Sequence, residues 1–225
     1  MNNVKGNVPN LVTCLNTISG CIAVAMAFSG QYMWASVAIC AAAVFDFLDG
    51  AVARVLDAYS PMGKELDSLS DLISFGVAPA AMVYTILPAH ISWVAILIPL
   101  CGAIRLARFN VDTRQTESFI GLPIPANALF WIGAVAFWEK YPPSDDWTWA
   151  LVVAFIAMAM LAPIRMPSLK FHDFKPTGEN RVRYLVIILT IGLVATLGVP
   201  GLAAAIACYI LLGAIGTLRG GANPC

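Results

Sequence analysis

Four aspartates carry the most chemistry in this sequence. Asp46, Asp49, Asp67 and Asp71 fall within one 26-residue stretch, DFLDGAVARVLDAYSPMGKELDSLSD. Asp46 and Asp49 are three apart and share one helix face, which Gly50, Ala53 and Arg54 continue; Asp67 and Asp71 are four apart and share a face on a second helix. Ser60-Pro61-Met62-Gly63 has the residue types of a turn. A short turn makes the two helices antiparallel neighbours, so the acidic faces can converge. Carboxylates without His or Cys nearby suit hard divalent cations such as Mg²⁺, Mn²⁺ or Ca²⁺. Four carboxylates can hold two ions, and a two-ion site suits in-line displacement at phosphorus. Gly50 and Ala53 leave room for a ligand close to the backbone, and Arg54 offers a forked cation to phosphate oxygens. The competing reading makes these acids helix-end charges paired with Arg54 and Lys64. Four carboxylates at paired helical spacings, with small residues between them, favour the cation site.

The elements that must position these acids are membrane helices. Of 225 residues, 60% are hydrophobic and 12% charged, against about 25% charged in an average soluble domain. The apolar residues form long runs, which excludes soluble, disordered and collagen-like chains. Runs near 20 residues at Leu11–Phe28, Met33–Ala53, Leu66–Leu87, Ile91–Leu106, Leu122–Trp138, Trp147–Ile164, Tyr184–Val199 and Leu202–Leu218 predict about eight spans. The predicted fold is an all-α polytopic helical bundle forming a single domain over residues 1–225. Each Asp near a helix centre costs roughly 2.5–3.5 kcal/mol to insert, and less near an interface, so the cluster belongs at a helix end and needs compensation.

Thirteen Lys and Arg balance thirteen Asp and Glu, so no net field points to nucleic acid. With the N-terminus in the cytoplasm, every Lys and Arg except Lys140 falls on the inner side or at an inner helix end. That sorting predicts an even number of spans with both termini cytoplasmic. The Arg165–Arg183 connection is then expected to cover the cytoplasmic face. Lys5, the first apolar run and Ala25-Met26-Ala27 imitate a cleaved signal peptide, but Asn10, Thr13, Asn16 and Ser19 interrupt that run, and losing it would spoil the charge sorting. No cysteine forms a Cys-x-x-Cys pair, so the six cysteines predict neither a zinc nor a redox site. Small residues such as Gly192, Ala195, Ala203 and Ala207 permit close helix packing.

The pattern Asp46-x-x-Asp49-Gly50-x-x-Ala53-Arg54, eight residues, Gly63, three residues, Asp67, three residues, Asp71 resembles the CDP-alcohol phosphotransferase signature at every fixed position. The resemblance implies a six-helix catalytic core, here with two further helices, and transfer of a phosphoalcohol from a CDP-linked donor to an acceptor hydroxyl with release of CMP. It implies Asp46, Asp49 and Asp67 as ligands of a divalent metal, Mg or Mn and two ions. Asp71 would be the general base, touching the second ion. Gly50, Arg54 and Ser60 would contact the donor. Pro9-Asn10-Leu11-Val12-Thr13 resembles the start of the family's first helix, near the nucleotide; Asn10 and Thr13 are equally explained as helix caps. The family tends to form homodimers.

Arg105-Leu106-Ala107-Arg108-Phe109-Asn110 and Phe119-Ile120-Gly121-Leu122-Pro123-Ile124-Pro125-Ala126 are similar to segments of the integral-membrane phosphatidylserine synthase branch. That implies CDP-diacylglycerol as donor, L-serine as acceptor and the cytoplasmic membrane as location, with the site facing the cytoplasm. Arg105 and Arg108, three apart, offer a cation for the serine carboxylate; ordinary inner-end arginines are the alternative. The unrelated phospholipase-like enzymes use a His-x-Lys nucleophile. Here His172 is followed by Asp173-Phe174-Lys175 and His90 sits in a short connection, so direct displacement is expected. Glycerol 3-phosphate or inositol phosphate would need a denser basic pocket than the third span offers. A proton or cation transporter would distribute its acids along a path across the membrane, whereas these four lie at one edge.

Overall fold

The structure is a computed structural model and describes residues 2–111, 119–142, 145–166 and 180–219. Residues 167–179, with His172, Lys170 and Lys175 of the long polar connection, lie outside the described residues, as do Arg114 and Cys225.

Helices dominate, as the apolar runs predict. The order is α1 (Asn2–Phe28), α2 (Tyr32–Leu56), α3 (Pro61–Asp71), a π turn (Leu72–Val77), α4 (Ala78–Ile86), a 3₁₀ turn (Ser92–Ile96), α5 (Leu97–Val111), α6 (Ile124–Lys140), α7 (Asp146–Ala159), α8 (Asn180–Leu197) and α9 (Gly201–Arg219). The stretch from α3 through the π turn to α4 is one rod, so the described residues form eight rods where about eight spans are predicted. Asn7–Phe28, Tyr32–Leu56, Pro61–Ile86 and Ser92–Val111 are each long and apolar enough to cross a bilayer, while Trp147–Ala159 and Gly201–Thr217 are shorter apolar helices. The chain is an all-α, multi-pass membrane protein. Leu11, Ile18, Met33, Trp34, Phe47, Leu151, Phe155 and Ile188 are exposed. In water such a coat would aggregate; against lipid tails it is the expected exterior.

Small residues bring the first helices together. The inward stripe of α1 runs Thr13, Asn16, Gly20, Ala23, Ala27, and that of α2 runs Ala35, Ile39, Ala42, Asp49. The two helices pack along their length. At their hairpin Gly30 takes φ +70°, and Gln31 N–H donates to the Met26 carbonyl at 2.9 Å while Gly30 N–H donates to Ala27 at 3.0 Å. That pair of bonds is a Schellman cap, which favours glycine at the left-handed position. A Cβ on Gly20 would run into Ser74 Oγ and the Ser74 backbone, so α1 also lies tight against the π turn.

The centre is closed by α6. Trp131 and Trp138 are fully buried among Met82, Val83 and Ile98. Asn127 is fully buried as well, and its amide is satisfied on both sides. Its Nδ2 donates to the Phe75 carbonyl of the π turn at 3.0 Å, and its Oδ1 accepts from Trp131 Nε1 at 2.9 Å. Such pairing is what a polar group inside a membrane bundle requires. α9 lies across α6 where Gly133 faces Ala203, in contact too close for a side chain at Gly133.

Two expectations are corrected, and one small element is added. The turn between the acidic helices is Asp57–Tyr59, not Ser60–Gly63. Ser60 is the N-cap of α3, its Oγ accepting from Gly63 N–H at 3.0 Å, and Pro61 sits at the first helical position, where its missing N–H costs nothing. Asp57 makes the reversal with φ +47°. Asn10 and Thr13 are not caps: α1 begins at Asn2 and runs through Pro9, so both lie inside the helix. Finally, Phe119–Ile120 and Arg165–Met166 form a two-residue antiparallel ladder that periodicity does not announce.

Candidate active site

Asp46 and Asp49 prolong the stripe by which α2 packs on α1: Ala35, Ile39 and Ala42 lead, at spacings of three and four, to positions 46 and 49. The register that buries the alanines therefore turns both carboxylates toward the neighbouring helices. On the other side, Ser60 and Pro61 start α3 so that Asp67, Ser70, Asp71 and Ser74 follow on the face that meets α1. Carboxylate oxygens of Asp46, Asp49 and Asp67 all lie within 4.8 Å of one another. Asp71 is one turn further along. It senses the charge of Asp46, as Asp67 does.

α1 supplies the polar lining. Thr13 Oγ1 donates to Asp49 Oδ2 at 2.6 Å, with the Pro9 carbonyl at 3.1 Å as the weaker alternative for the same proton. Asn16 Nδ2 lies 3.4 Å from Asp71 Oδ1, and Asn16 Oδ1 is buried without a partner. Behind them the hydroxyls of Thr17 and Ser70 meet at 2.5 Å, Ser70 Oγ donates to the Thr13 carbonyl at 3.3 Å, and Ser74 Oγ donates to the Asn16 carbonyl at 3.0 Å. These bonds fix α3 against α1 and so fix the acids. Asn16, Thr17 and Ser70 were not predicted as supports. The signal was the recurrence of polar residues at 10, 13 and 16–17 on one face of an otherwise apolar run.

A cleft of about 230 Å³ opens above the acids. Pro9, Asn10 and Thr13 line it from α1, Asp49, Gly50 and Ala53 from α2, Ala58–Ser60 from the turn, and Gly63, Lys64 and Asp67 from α3. A Cβ built on Gly50 would meet nothing within 4 Å, so Gly50 borders open space. Gly63 is the opposite case: a Cβ there would stand 3.0 Å from Asn10 Oδ1 and from Ser60 Oγ, so its bareness lets α3 approach α1. Asn10, Thr13, Gly50 and Ser60 thus meet in one cleft with two of the acids. Arg54 does not line it. Arg54 is exposed and its Nε donates to the Gly50 carbonyl at 3.0 Å, one turn back on its own helix. Lys64 lines the cleft, with Nζ 3.0 Å from the Asn110 carbonyl of α5.

The two arginines proposed together from spacing part company. Arg105 is 8% exposed, points into the bundle within range of the Asp71 charge, and its Nε is buried without a hydrogen-bond partner. Arg108 is exposed in the last turn of α5, with Nη1 3.5 Å from the Leu161 carbonyl. The helix leaves the packed bundle between them. The charges that Asp46, Asp67 and Asp71 sense are mainly those of the other aspartates. Such a cluster is under-compensated in a low-dielectric setting. Three converging carboxylates, no imidazole or thiolate among them, form the donor set that a hard divalent cation takes. The residues present fit such an ion.

Comparison with known proteins adds an independent result. Residues 6–164 match the family model for CDP-alcohol phosphatidyltransferase. A protein of Helicobacter pylori named CDP-diacylglycerol–serine O-phosphatidyltransferase is 32% identical over 213 residues, covering 92% of this chain and 89% of its own length. One of the same name from Methanocaldococcus jannaschii is 33% identical, with 95% of each chain covered. A third, from Mycobacterium leprae, is 39% identical over 178 residues; the match covers 73% of this chain and 59% of that longer protein.

Proposed function

Because the chain belongs to the CDP-alcohol phosphatidyltransferase family, we propose that it moves the phosphatidyl group of CDP-diacylglycerol onto the hydroxyl of L-serine, forming phosphatidylserine and releasing CMP. The observation that carries this reading is the convergence of Asp46, Asp49 and Asp67, with Asp71 beside them, under a cleft bordered by Gly50. The serine acceptor is supported by the names of the relatives that align over nearly the whole chain. The entire chain, α8 and α9 included, would act as one catalytic unit in the cytoplasmic membrane, as a homodimer. The clustering of Lys and Arg toward one side supports a site that faces the cytoplasm.

Asp46, Asp49 and Asp67 would hold a divalent metal, Mg²⁺ or Mn²⁺, with Asp71 completing a second position. When bound, such ions offset the charge of the pyrophosphate and of the departing CMP. The chain's own residues do the rest. Asn10, Thr13, Gly50 and Ser60 give the nucleotide end of the donor a polar floor with no bulk at Gly50. Lys64 lines the same cleft as a cation for phosphate oxygens. Arg54 would swing from the Gly50 carbonyl to serve the donor at the rim. Asp71 accepts the proton of the serine hydroxyl; the serine oxygen attacks the lipid-side phosphorus, a new P–O bond forms, and the anhydride P–O bond to CMP breaks. No covalent enzyme intermediate is needed. Arg105, inside the bundle beside Asp71, takes the serine carboxylate, and the exposed Arg108 guards the approach.

The test is CMP release from CDP-diacylglycerol by the purified protein in detergent, with serine, glycerol 3-phosphate or inositol phosphate offered in turn. Release that requires both serine and a divalent cation is the expected result. Release driven by a phosphorylated acceptor would reassign the substrate within the family. Failure with every acceptor, joined to proton or cation flux in proteoliposomes, would overturn the transferase reading.

A further inference from the structure

Lys64 and Ser68 stand one turn apart on α3, and both reach Asn110 near the described end of α5. Lys64 Nζ donates to the Asn110 carbonyl at 3.0 Å. The Asn110 side chain returns the contact. Its Nδ2 donates to Ser68 Oγ at 2.9 Å, and Ser68 Oγ donates to the Lys64 carbonyl at 3.2 Å. These bonds close a ring that runs from the backbone of α3 to α5 and back to the tip of the Lys64 side chain. Lys64 also lines the cleft above the acids, three residues before Asp67 and on the same helix face. Asn110 does not line that cleft, so it bears on the cleft only through Lys64.

Resting on the reading of the chain as a transferase with a CDP-linked donor, we propose that Asn110 is a positioning residue for Lys64, so that the end of α5 holds an ammonium ready for a phosphate oxygen of the donor. The chemistry of the ring supports this. A lysine is a point charge on a flexible four-carbon stem, and immobilising such a stem costs rotamer entropy. The bond to Asn110 orders the stem before the ligand arrives, which is preorganisation. An ammonium carries three N–H groups. One meets the carbonyl, and two remain for phosphate oxygens. The carbonyl is uncharged, so this bond leaves the positive charge of Lys64 whole, whereas a carboxylate in its place would cancel it. The amide of Asn110 steadies the carbonyl in turn through Ser68. Arg105 lies five residues earlier on α5, so one helix would bear on both substrates.

The experiment reads donor and acceptor separately. Wild-type protein, Lys64→Met, Asn110→Leu and the double variant are assayed for CMP release at varied CDP-diacylglycerol and at varied serine. Each is also titrated at equilibrium with CDP in the presence of Mn²⁺. Met keeps the length of the lysine stem, and Leu keeps the bulk of the amide. Lys64→Met should raise the donor KM and weaken CDP binding roughly tenfold, as expected for a lost hydrogen bond to a charged group. The KM for serine should stay within about twofold. Asn110→Leu should shift donor KM and CDP affinity about threefold in the same direction, the scale of one neutral hydrogen bond. In the Lys64→Met background it should add nothing, whereas a purely structural role would add its factor again. Ser68→Ala removes the same bond from its other end and should match Asn110→Leu, which keeps the test open if the latter fails to fold. Wild-type donor KM and CDP affinity in Lys64→Met overturns the role of Lys64 and with it that of Asn110. Wild-type values in Asn110→Leu and Ser68→Ala, or an Asn110→Leu effect undiminished in the double variant, overturns the role of Asn110 while the transferase reading stands. CDP binding with the expected coupling, but no CMP release from CDP-diacylglycerol by the wild type with any acceptor, overturns the transferase reading instead.

Discussion

Thr13 decides how Asp49 is aimed, and it does so from a different helix. The 2.6 Å bond from its hydroxyl fixes Asp49 Oδ2 beside the cluster. Outer supports of this kind typically tune metal affinity 10- to 100-fold. Thr13→Val, which keeps the shape and removes the donor, is expected to raise the Mn²⁺ concentration for half-maximal activity by roughly tenfold; Thr13→Ser should restore it. A metal titration of CMP release measures both. Asp71 is the proposed general base. Asp71→Asn is expected to lower kcat by about 10² or more, the scale of general base catalysis, while CDP-diacylglycerol binding, read by equilibrium titration, changes little. Near-normal turnover would remove Asp71 as the base. These roles follow from spacing to a limited degree. Paired helical intervals place Asp46 with Asp49 and Asp67 with Asp71, and in the structure the carboxylates of Asp46, Asp49 and Asp67 converge. The same arithmetic puts Arg105 and Arg108 on one face, yet only Arg105 is buried, because periodicity does not say where a helix leaves its bundle.

At the scale of elements, the site depends on α1 crossing the rod from Pro61 to Ile86 at close range. Gly20 makes the crossing possible, since a Cβ there would collide with Ser74. Gly20→Leu is expected to destabilise the protein by about 1–3 kcal/mol, the usual cost of overpacking, and to lower its thermal midpoint in detergent, with Gly20→Ala intermediate. Elsewhere, α7 is capped by Asp145. The Thr148 hydroxyl, assisted by the Thr148 and Trp147 backbone N–H groups, holds that carboxyl below the ordinary carboxylate range. A depressed value means the cap contributes fully above the unfolded-state value and is lost as pH falls through the folded one. Asp145→Asn should therefore flatten the acid limb of α7 unfolding without changing behaviour at neutral pH, as followed by amide hydrogen exchange. The helices themselves were legible because twenty-residue apolar runs have few alternatives in a bilayer. Their ends were not. The start of α1 at Asn2 and the reversal at Asp57 depend on Pro9 being tolerated in a helix and on a non-glycine residue at positive φ, and neither is marked by a composition change.

At the scale of the whole molecule, the acids lie at one end of the helices that form the core, and α8 and α9, beyond the family-matched segment, lean on that core through α6. Gly133→Leu should therefore push α9 away from α6 and destabilise the protein by about 1–3 kcal/mol, the usual cost of overpacking, while leaving the KM for donor within about twofold, because the donor cleft is lined by α1, α2, α3 and the turn at 58–60 and by no residue of α9. Thermal unfolding in detergent and steady-state kinetics in CDP-diacylglycerol measure the two effects. The π turn at Leu72–Val77 adds a last consequence. A π turn accommodates a surplus residue in an α-helical rod, and here it separates the half that bears Asp67 and Asp71 from α4, whose Met82 and Val83 are fully buried in the core. Deleting one residue there would restore even winding at the cost of swivelling the acidic half by about 100°, carrying both carboxylates out of reach of their partners on α2. The bulge works as an angular offset between anchor and reaction centre, and the length of the chain at that point is as much a part of the active site as any side chain in it.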